Sequence, residues 1–152
     1  SILALLNGYL HDAMTLSIGS GIPKNTAIGI GMWLGVIMAF NVWFVIWPNQ
    51  KKVIAGTPDA ADAGAKAGLA SRTNTLFSLP MLYLMVYSAH GGGLPMIAAT
   101  DMTGLWVGIA ILLLIEANAL FGKMNPLITS VKAVIHSGIL LTVIFGALVH
   151  YL

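Results

Sequence analysis

The stretch "FNVWFVIWPNQKK", from Phe40 to Lys52, passes from an apolar run into a proline and then a polar, basic cluster. Such an ending is typical of a transmembrane helix that leaves the bilayer into water. An amide, Asn41, nevertheless lies inside the apolar part. Because a polar group in hydrocarbon is costly unless it has a partner, Asn41 indicates either contact between helices or a functional site.

The composition of the whole chain is that of a membrane protein. Of its 152 residues, 58 % are hydrophobic and only 8 % are charged, which leaves too little polar surface for a water-soluble domain of this size. The net charge of +2 comes mostly from basic residues near helix ends, so we expect lipid and not nucleic acid as the partner. The sequence contains no cysteine, which excludes disulfides, thiolate metal sites and covalent haem attachment within it.

Four segments are predicted to cross the bilayer, each close to the roughly 20 apolar residues that a span requires. They are residues 26–47, 74–88, 103–121 and 127–151. Residues 57–72 are predicted to form a cytoplasmic surface helix that leads into the second span, which Pro80 should kink. Residues 1–22 form an N-terminal hydrophobic segment that either crosses the membrane or lies in the interface. We therefore predict one all-α domain over residues 1–152, a polytopic helical bundle.

Basic residues predict the orientation of this bundle. The predicted loops contain them in two connections, residues 48–73 and 122–126: Lys51, Lys52, Lys66, Arg72 and Lys123. The connection over residues 89–100 contains none. By the positive-inside rule, the 48–73 connection is cytoplasmic. We expect a bacterial inner membrane as the location.

Polar side chains within the predicted spans share one depth. At 1.5 Å per residue, Glu116 lies roughly 7 to 8 Å and Asn41 roughly 10 Å below the cytoplasmic surface. The predicted layer contains Asn41, Arg72, Asn74, Glu116, Asn118 and Lys132, with His136 nearby. As a structural clasp, Arg72 or Lys132 would neutralise Glu116 while the amides join helices by hydrogen bonds. The alternative is a proton or ion pathway through Glu116 and His136.

The histidines suggest a further hypothesis, a bound haem b. His90 and His150 lie on the predicted outer side, where they could hold one haem between helices. His11 and His136 are the other candidate ligands. Copper is another alternative, because thioether sulfur suits Cu(I) and several methionines accompany these histidines: Met14, Met81, Met85, Met96 and Met102. Ordinary core packing explains the same methionines.

Three motifs carry a family resemblance: "NVWFVIWPNQKKVIAG" from Asn41, "ASRTNTLFSLPMLYLMVYSAH" from Ala70 and "IEANALFG" from Ile115. Together they make the chain similar to the membrane-spanning region of the bacterial urate oxidase N-terminal family, the membrane-bound urate hydroxylase type. The likeness covers residues 31–152, and its most specific part is the Arg-Thr-Asn-Thr run. The matching positions are Asn41, Trp47, Pro48, Gln50, Arg72, Asn74, Pro80, Glu116 and Asn118.

The resemblance implies an electron-transfer setting in an inner membrane, because in that family the membrane domain precedes a c-type cytochrome domain. This chain is shorter than that architecture and contains no Cys-x-x-Cys-His motif. We therefore expect a non-catalytic subunit or accessory of a membrane redox complex, with other membrane subunits as partners. The haem b electron carrier and the proton or ion pathway stay open as alternatives.

Overall fold

The fold is all-α in the part of the chain that the structure, a computed structural model, describes: residues 8–16, 18, 23–90 and 103–151. No strand occurs in these ranges, which confirms the predicted fold class. The helices are α1 (Tyr9–Met14), α2 (Pro23–Phe40), a π-helical segment (Asn41–Ile46), α3 (Trp47–Ala55), α4 (Ala60–His90), α5 (Thr103–Phe121) and α6 (Val131–Tyr151).

Three helical stretches among the described residues are long and apolar enough to cross a membrane. They are Asn25–Ala55, Thr103–Phe121 and Val131–Val149, with mean hydropathies of 1.9, 2.0 and 1.9. Large apolar side chains cover their outer surfaces, and Phe44 and Leu114 are 69 % and 72 % exposed. Because such surfaces are stable only in contact with lipid or another apolar partner, the chain is a membrane protein.

The remaining predicted span, residues 74–88, lies within α4, whose 31 residues extend about 46 Å at 1.5 Å per residue. This helix does not meet the same combined criterion of length and hydropathy. Its first half contains Asp62, Lys66 and Arg72. Because α4 packs against α2, α3, α5 and α6, its polar positions can be covered by protein, and it does not need an apolar surface all round.

Close contacts at glycines show how α4 packs against α2. Gly31 lies against Leu84 and Met85 near the end of α4, whereas Gly64, near its start, lies against Val53 of α3. Residues early in α2 therefore meet residues late in α4, so the two helices run antiparallel. Their connection is short, as expected for neighbouring antiparallel helices.

The last two helices complete an alternating arrangement. Gly108, near the start of α5, packs against Phe145, near the end of α6, so these helices are antiparallel. Gly138 of α6 packs against Leu79, and Gly146 packs against Tyr83, so α6 runs parallel to α4. Successive long helices thus alternate in direction, and the 56–59 and 122–130 connections lie at the same end of the bundle.

The helix that was predicted to end at Trp47 continues through Pro48 to Ala55. In a regular α-helix the Pro48 ring would clash with the carbonyl of Phe44 and supply no N–H to it. The π-helical segment lies directly before Pro48, and its wider turn accommodates the proline without ending the helix. The side chain of Asn49 then donates a hydrogen bond to the Val45 carbonyl at 2.7 Å.

Other predicted boundaries also differ from the structure. The surface helix over residues 57–72 and the span over 74–88 are one continuous helix, α4, with Pro80 inside it. Pro80 supplies no N–H to the Leu76 carbonyl, and Gly138 of α6 lies against that carbonyl. Helix α6 begins at Val131 and not at Leu127.

The connection between α3 and α4 is fixed by polar contacts. Lys52 donates a hydrogen bond to the Asp59 carboxylate at 2.7 Å, and the Thr57 hydroxyl donates one to the same carboxylate, also at 2.7 Å. These contacts, with Lys52 the main cause, hold the pKa of Asp59 below its ordinary value of 3.8. Asp59 therefore stays ionised close to the positive N-terminal end of α4, where a carboxylate is favourable.

Helix α1 is held on α2 by side chains of α2. Trp33 Nε1 donates to the Met14 carbonyl at 3.0 Å, and Asn25 Nδ2 donates to Asp12 Oδ2 at 2.6 Å. Six residues of α1 extend only about 9 Å, too short to cross a bilayer. Residues 1–7, on which the prediction of a crossing segment partly depends, lie outside the described residues.

We expect Gly29→Ala to destabilise the fold, because a Cβ at this position would overlap the Ala13 carbonyl oxygen of α1. Overpacking of this kind costs about 1–3 kcal/mol. The matched control is Gly68→Ala, since nothing lies within 4 Å of a Cβ added there; replacing glycine in a helix by alanine should then stabilise by about 0.5–1 kcal/mol. Thermal unfolding in detergent measures both. Equal effects of the two substitutions would contradict the α1–α2 contact.

Candidate functional site

A cluster of three polar side chains joins three helical elements inside the bundle. Asn41, the first residue of the π-helical segment, is fully buried, and Glu116 of α5 is 8 % exposed. Asn41 Nδ2 donates to Asn74 Oδ1 of α4 at 3.0 Å and to Glu116 Oε2 at 3.1 Å. Asn74 Nδ2 donates in turn to the Met38 carbonyl at 3.0 Å. The cluster thus ties α2, α4 and α5 together at one depth.

Two oxygen atoms of this cluster have no hydrogen-bond partner among the described residues. They are Asn41 Oδ1 and Glu116 Oε1, and both are buried. A buried acceptor without a partner costs about 1–3 kcal/mol. Such groups are uncommon in native proteins. Where one is found, a functional role or local strain is among its explanations.

The predicted ion pair between Arg72 and Glu116 is wrong. Arg72 Nη1 donates to the carbonyls of Ile128 and Thr129, at 2.9 Å for Ile128. Arginine has five fixed donors and no acceptor, so it can donate to backbone carbonyls in the connection before α6 as readily as to a carboxylate. Arg72 therefore joins α4 to the 122–130 connection, and it leaves Glu116 without a cation partner in the described part of the chain.

The other members of the predicted layer point elsewhere. Lys132 is exposed, and His136 is exposed with its Nδ1 2.8 Å from the Lys132 carbonyl of its own helix. Asn118 is two residues from Glu116, which turns it about 200° around α5. The structure therefore does not bring His136, Lys132 or Asn118 into the cluster with Glu116.

Asn118 instead lines an apolar cavity between α4, α5 and α6. Its volume is about 350 Å³, and its walls include Thr73, Leu76, Ser137 and Leu141. The hydroxyls there are already used, because Ser137 donates to the Leu127 carbonyl at 2.8 Å and Thr73 to the Leu69 carbonyl at 3.1 Å. The cavity is therefore largely a gap between helices with few free polar groups.

The candidate haem ligands lie at the surface where their side chains are described. His11, His90 and His136 are all exposed, whereas helical bundles hold cofactors in their interior. His90 Nδ1 lies 3.3 Å from the Val86 carbonyl of its own helix. The backbone of His150, four residues beyond the Gly146–Tyr83 contact, lies at the same end of the bundle as His90. The side chain of His150 lies outside the described residues.

The candidate copper ligands whose side chains are described either pack between helices or lie at the surface. The Met85 side chain packs against Gly31 and the Met81 sulfur faces Gly35, which is the packing role that methionine serves in helical interfaces. Met14 is 49 % exposed. Met96 and Met102 lie outside the described residues. No group of three or more His, Asp or Glu side chains able to hold a metal occurs in the described ranges.

Two features of the site were not predicted from the sequence. The Met38 carbonyl accepts from Asn74, and no residue type marks such a backbone acceptor in advance. The π-helical segment begins at Asn41 itself. The signal that could have indicated it is Pro48, because a helix that continues past a proline needs a local widening or a kink.

The fold and the cluster define a class, a helical membrane protein whose interior contains a hydrogen-bonded amide and carboxyl site. The family model described as urate oxidase N-terminal matches residues 13–149, most of the 152-residue chain. The chain therefore belongs to the urate oxidase N-terminal family, which confirms the resemblance and extends it towards the N-terminus as far as the last two residues of α1. Comparisons with curated proteins and with solved structures found no match.

Double-mutant cycles test which residue contacts Glu116. Combining Asn41→Leu with Glu116→Leu should show coupling of about 0.6 to 1.7 kcal/mol, the range for hydrogen bonds between membrane helices. The cycle of Arg72→Ala with Glu116→Leu is the control and should be additive within about 0.5 kcal/mol. Unfolding free energies in mixed micelles provide the measurement. Strong coupling of Arg72 to Glu116 would restore the ion pair and contradict this geometry.

Proposed function

We propose that this chain is a non-catalytic membrane subunit, or membrane domain, of an electron-transfer complex. The observation that carries the proposal is the family match over residues 13–149, since the resemblance to the urate oxidase N-terminal family implies a redox setting in the inner membrane. The polar cluster supports a scaffold role, because Asn41 links three helical elements by side-chain hydrogen bonds. In this proposal the redox centre is supplied by a partner.

The surface of the bundle fits such a role. The first long helix carries exposed aromatic side chains, and Trp43 and Trp47 are 65 % and 53 % exposed. Lys51 Nζ lies over the Trp47 ring, 5.3 Å from the ring centroid. Aromatic and basic residues together are typical of a membrane interface, and apolar surface beyond it is available to lipid or to another subunit.

Isolation of the tagged chain from native membranes tests the proposal. We expect a haem- or flavin-containing membrane protein to copurify in fixed ratio, and the chain expressed alone to show no Soret absorption. The rival is a self-sufficient haem b carrier. It would give the isolated chain a Soret band that His90→Ala or His150→Ala removes. His136→Ala is the matched control, because that side chain is exposed near the opposite end. A band of this kind would overturn the subunit proposal.

We also propose that α4 crosses the membrane in addition to the three apolar helical stretches, which makes four spans, and that the 56–59 connection lies on the cytoplasmic side. The end of the bundle with that connection carries Lys51, Lys52 and Lys66, in agreement with the positive-inside rule. The protection of α4 by its neighbours supports a crossing despite its lower hydropathy.

Cysteine labelling tests this topology directly, because the sequence contains no cysteine and needs no background substitutions. Lys66→Cys should react with a membrane-impermeant maleimide only in inside-out vesicles. Ala98→Cys, in the connection after α4, should react only in right-side-out vesicles. Labelling of both from one side would mean that α4 does not cross, and labelling with sides exchanged would reverse the orientation.

A further inference from the structure

The hydrogen bonds of the polar cluster have a direction that is set by the Met38 carbonyl. A carbonyl can only accept, so Asn74 must turn its NH₂ group towards Met38, where the distance is 3.0 Å. Asn74 Oδ1 then faces Asn41, which must present its own NH₂ group at 3.0 Å. The orientation of both amides follows from this one backbone group.

The same reasoning assigns roles to the two carboxyl oxygens of Glu116. The Asn41 NH₂ group has two hydrogens, and the second is donated to Glu116 Oε2 at 3.1 Å. Oε2 is therefore an acceptor. A proton on Glu116 would have to be carried by Oε1, the oxygen that has no partner among the described residues.

The two unpartnered oxygens flank a single hydrogen bond. Asn41 Oδ1 shares its carbon with the donor Nδ2, and Glu116 Oε1 shares its carbon with the acceptor Oε2. A carboxylic acid and an amide can pair through two hydrogen bonds in a ring, one N–H to O and one O–H to O. A proton on Oε1 that is donated to Asn41 Oδ1 would give both buried oxygens a partner.

We propose that Glu116 is a proton-binding site, in which a proton on Oε1 is donated to Asn41 Oδ1 and closes a cyclic acid–amide pair. The proton comes from water and returns to water, so the exchange forms and breaks only O–H bonds and needs no other reactant. The proposal is independent of the redox role, because it depends only on the geometry of this cluster. The ligand is a proton, and its binding changes the contact between the π-helical segment and α5.

Among the described residues discussed below, no charged side chain on the helices around the cluster bonds to Glu116. On α4 the charged residue nearest in sequence to Asn74 is Arg72. Its guanidinium donates to the Ile128 and Thr129 carbonyls. The π-helical segment has no titratable residue. On α6, Lys132 and His136 are exposed. A buried carboxyl in a transmembrane helix is by itself a candidate for proton transfer, and the unpartnered Asn41 oxygen is the second, independent observation.

Glu116 is the one glutamate in the sequence, so the whole folded chain can be probed at this atom without a mutation. Glutamate labelled with ¹³C at the carboxyl carbon gives a single side-chain signal, to be followed by NMR across the pH range in which the protein stays folded. We expect the Glu116 carboxyl signal and the Asn41 side-chain amide signal to move together with one midpoint. The amide of Asn49, bonded to the Val45 carbonyl, is the control and should not follow them.

The variant Glu116→Gln adds a second readout. Its amide can accept from Asn41 Nδ2 and donate to Asn41 Oδ1, so it reproduces the closed pair without a titrating proton. We expect its Asn41 signal to be independent of pH, with a melting temperature within about 4 °C of the wild type, the shift that corresponds to a change of about 1 kcal/mol.

Three results would overturn the proposal. The Glu116 signal could stay that of a carboxylate across the folded range, or it could titrate while the Asn41 amide does not respond. The Asn41 amide could also keep its pH dependence in Glu116→Gln. Because none of these readouts involves a partner protein, they do not depend on whether the redox subunit proposal holds.

Discussion

A polar group inside a membrane protein must find its partners within the protein, and in this fold that constraint acts on Asn41. Its NH₂ group is the point where α2, α4 and α5 are joined, through Asn74 and Glu116. Packing among apolar side chains gives membrane helices little directional preference, because lipid is as apolar as they are. The two donated hydrogen bonds therefore define which faces meet and at what depth.

Part of this site follows from the sequence by counting residues along helices. Depth places Asn41, Asn74 and Glu116 in one layer, and in the structure they are hydrogen-bonded. Depth does not, however, give the direction in which a side chain points. Asn118 lies at the depth of Glu116 but on another face of α5, and His136 and Lys132 point outward. Without the angular positions of the helices, a layer cannot be reduced to a site.

Long basic side chains are the least predictable members of such a layer. Opposite charge made Arg72 the natural partner for Glu116, yet its guanidinium reaches the carbonyls that precede α6. Free backbone carbonyls in a connection such as that before α6 are not marked by any residue type, although they accept from the same donors as carboxylates. The all-α fold and the long apolar helices, by contrast, depend on local composition, and they were accessible to prediction.

The π-helical segment has a geometrical consequence for the first long helix. A widened turn contains one residue more than an α-helix needs, and one residue corresponds to a rotation of about 100°. The side chains after Ile46 are therefore rotated by about 100° around the helix axis, relative to where an unbroken α-helix would continue the pattern before Asn41. One continuous helix thus keeps α4 as its neighbour on both sides of the π-helical segment, while the set of side chains that it turns towards α4 changes phase at that segment.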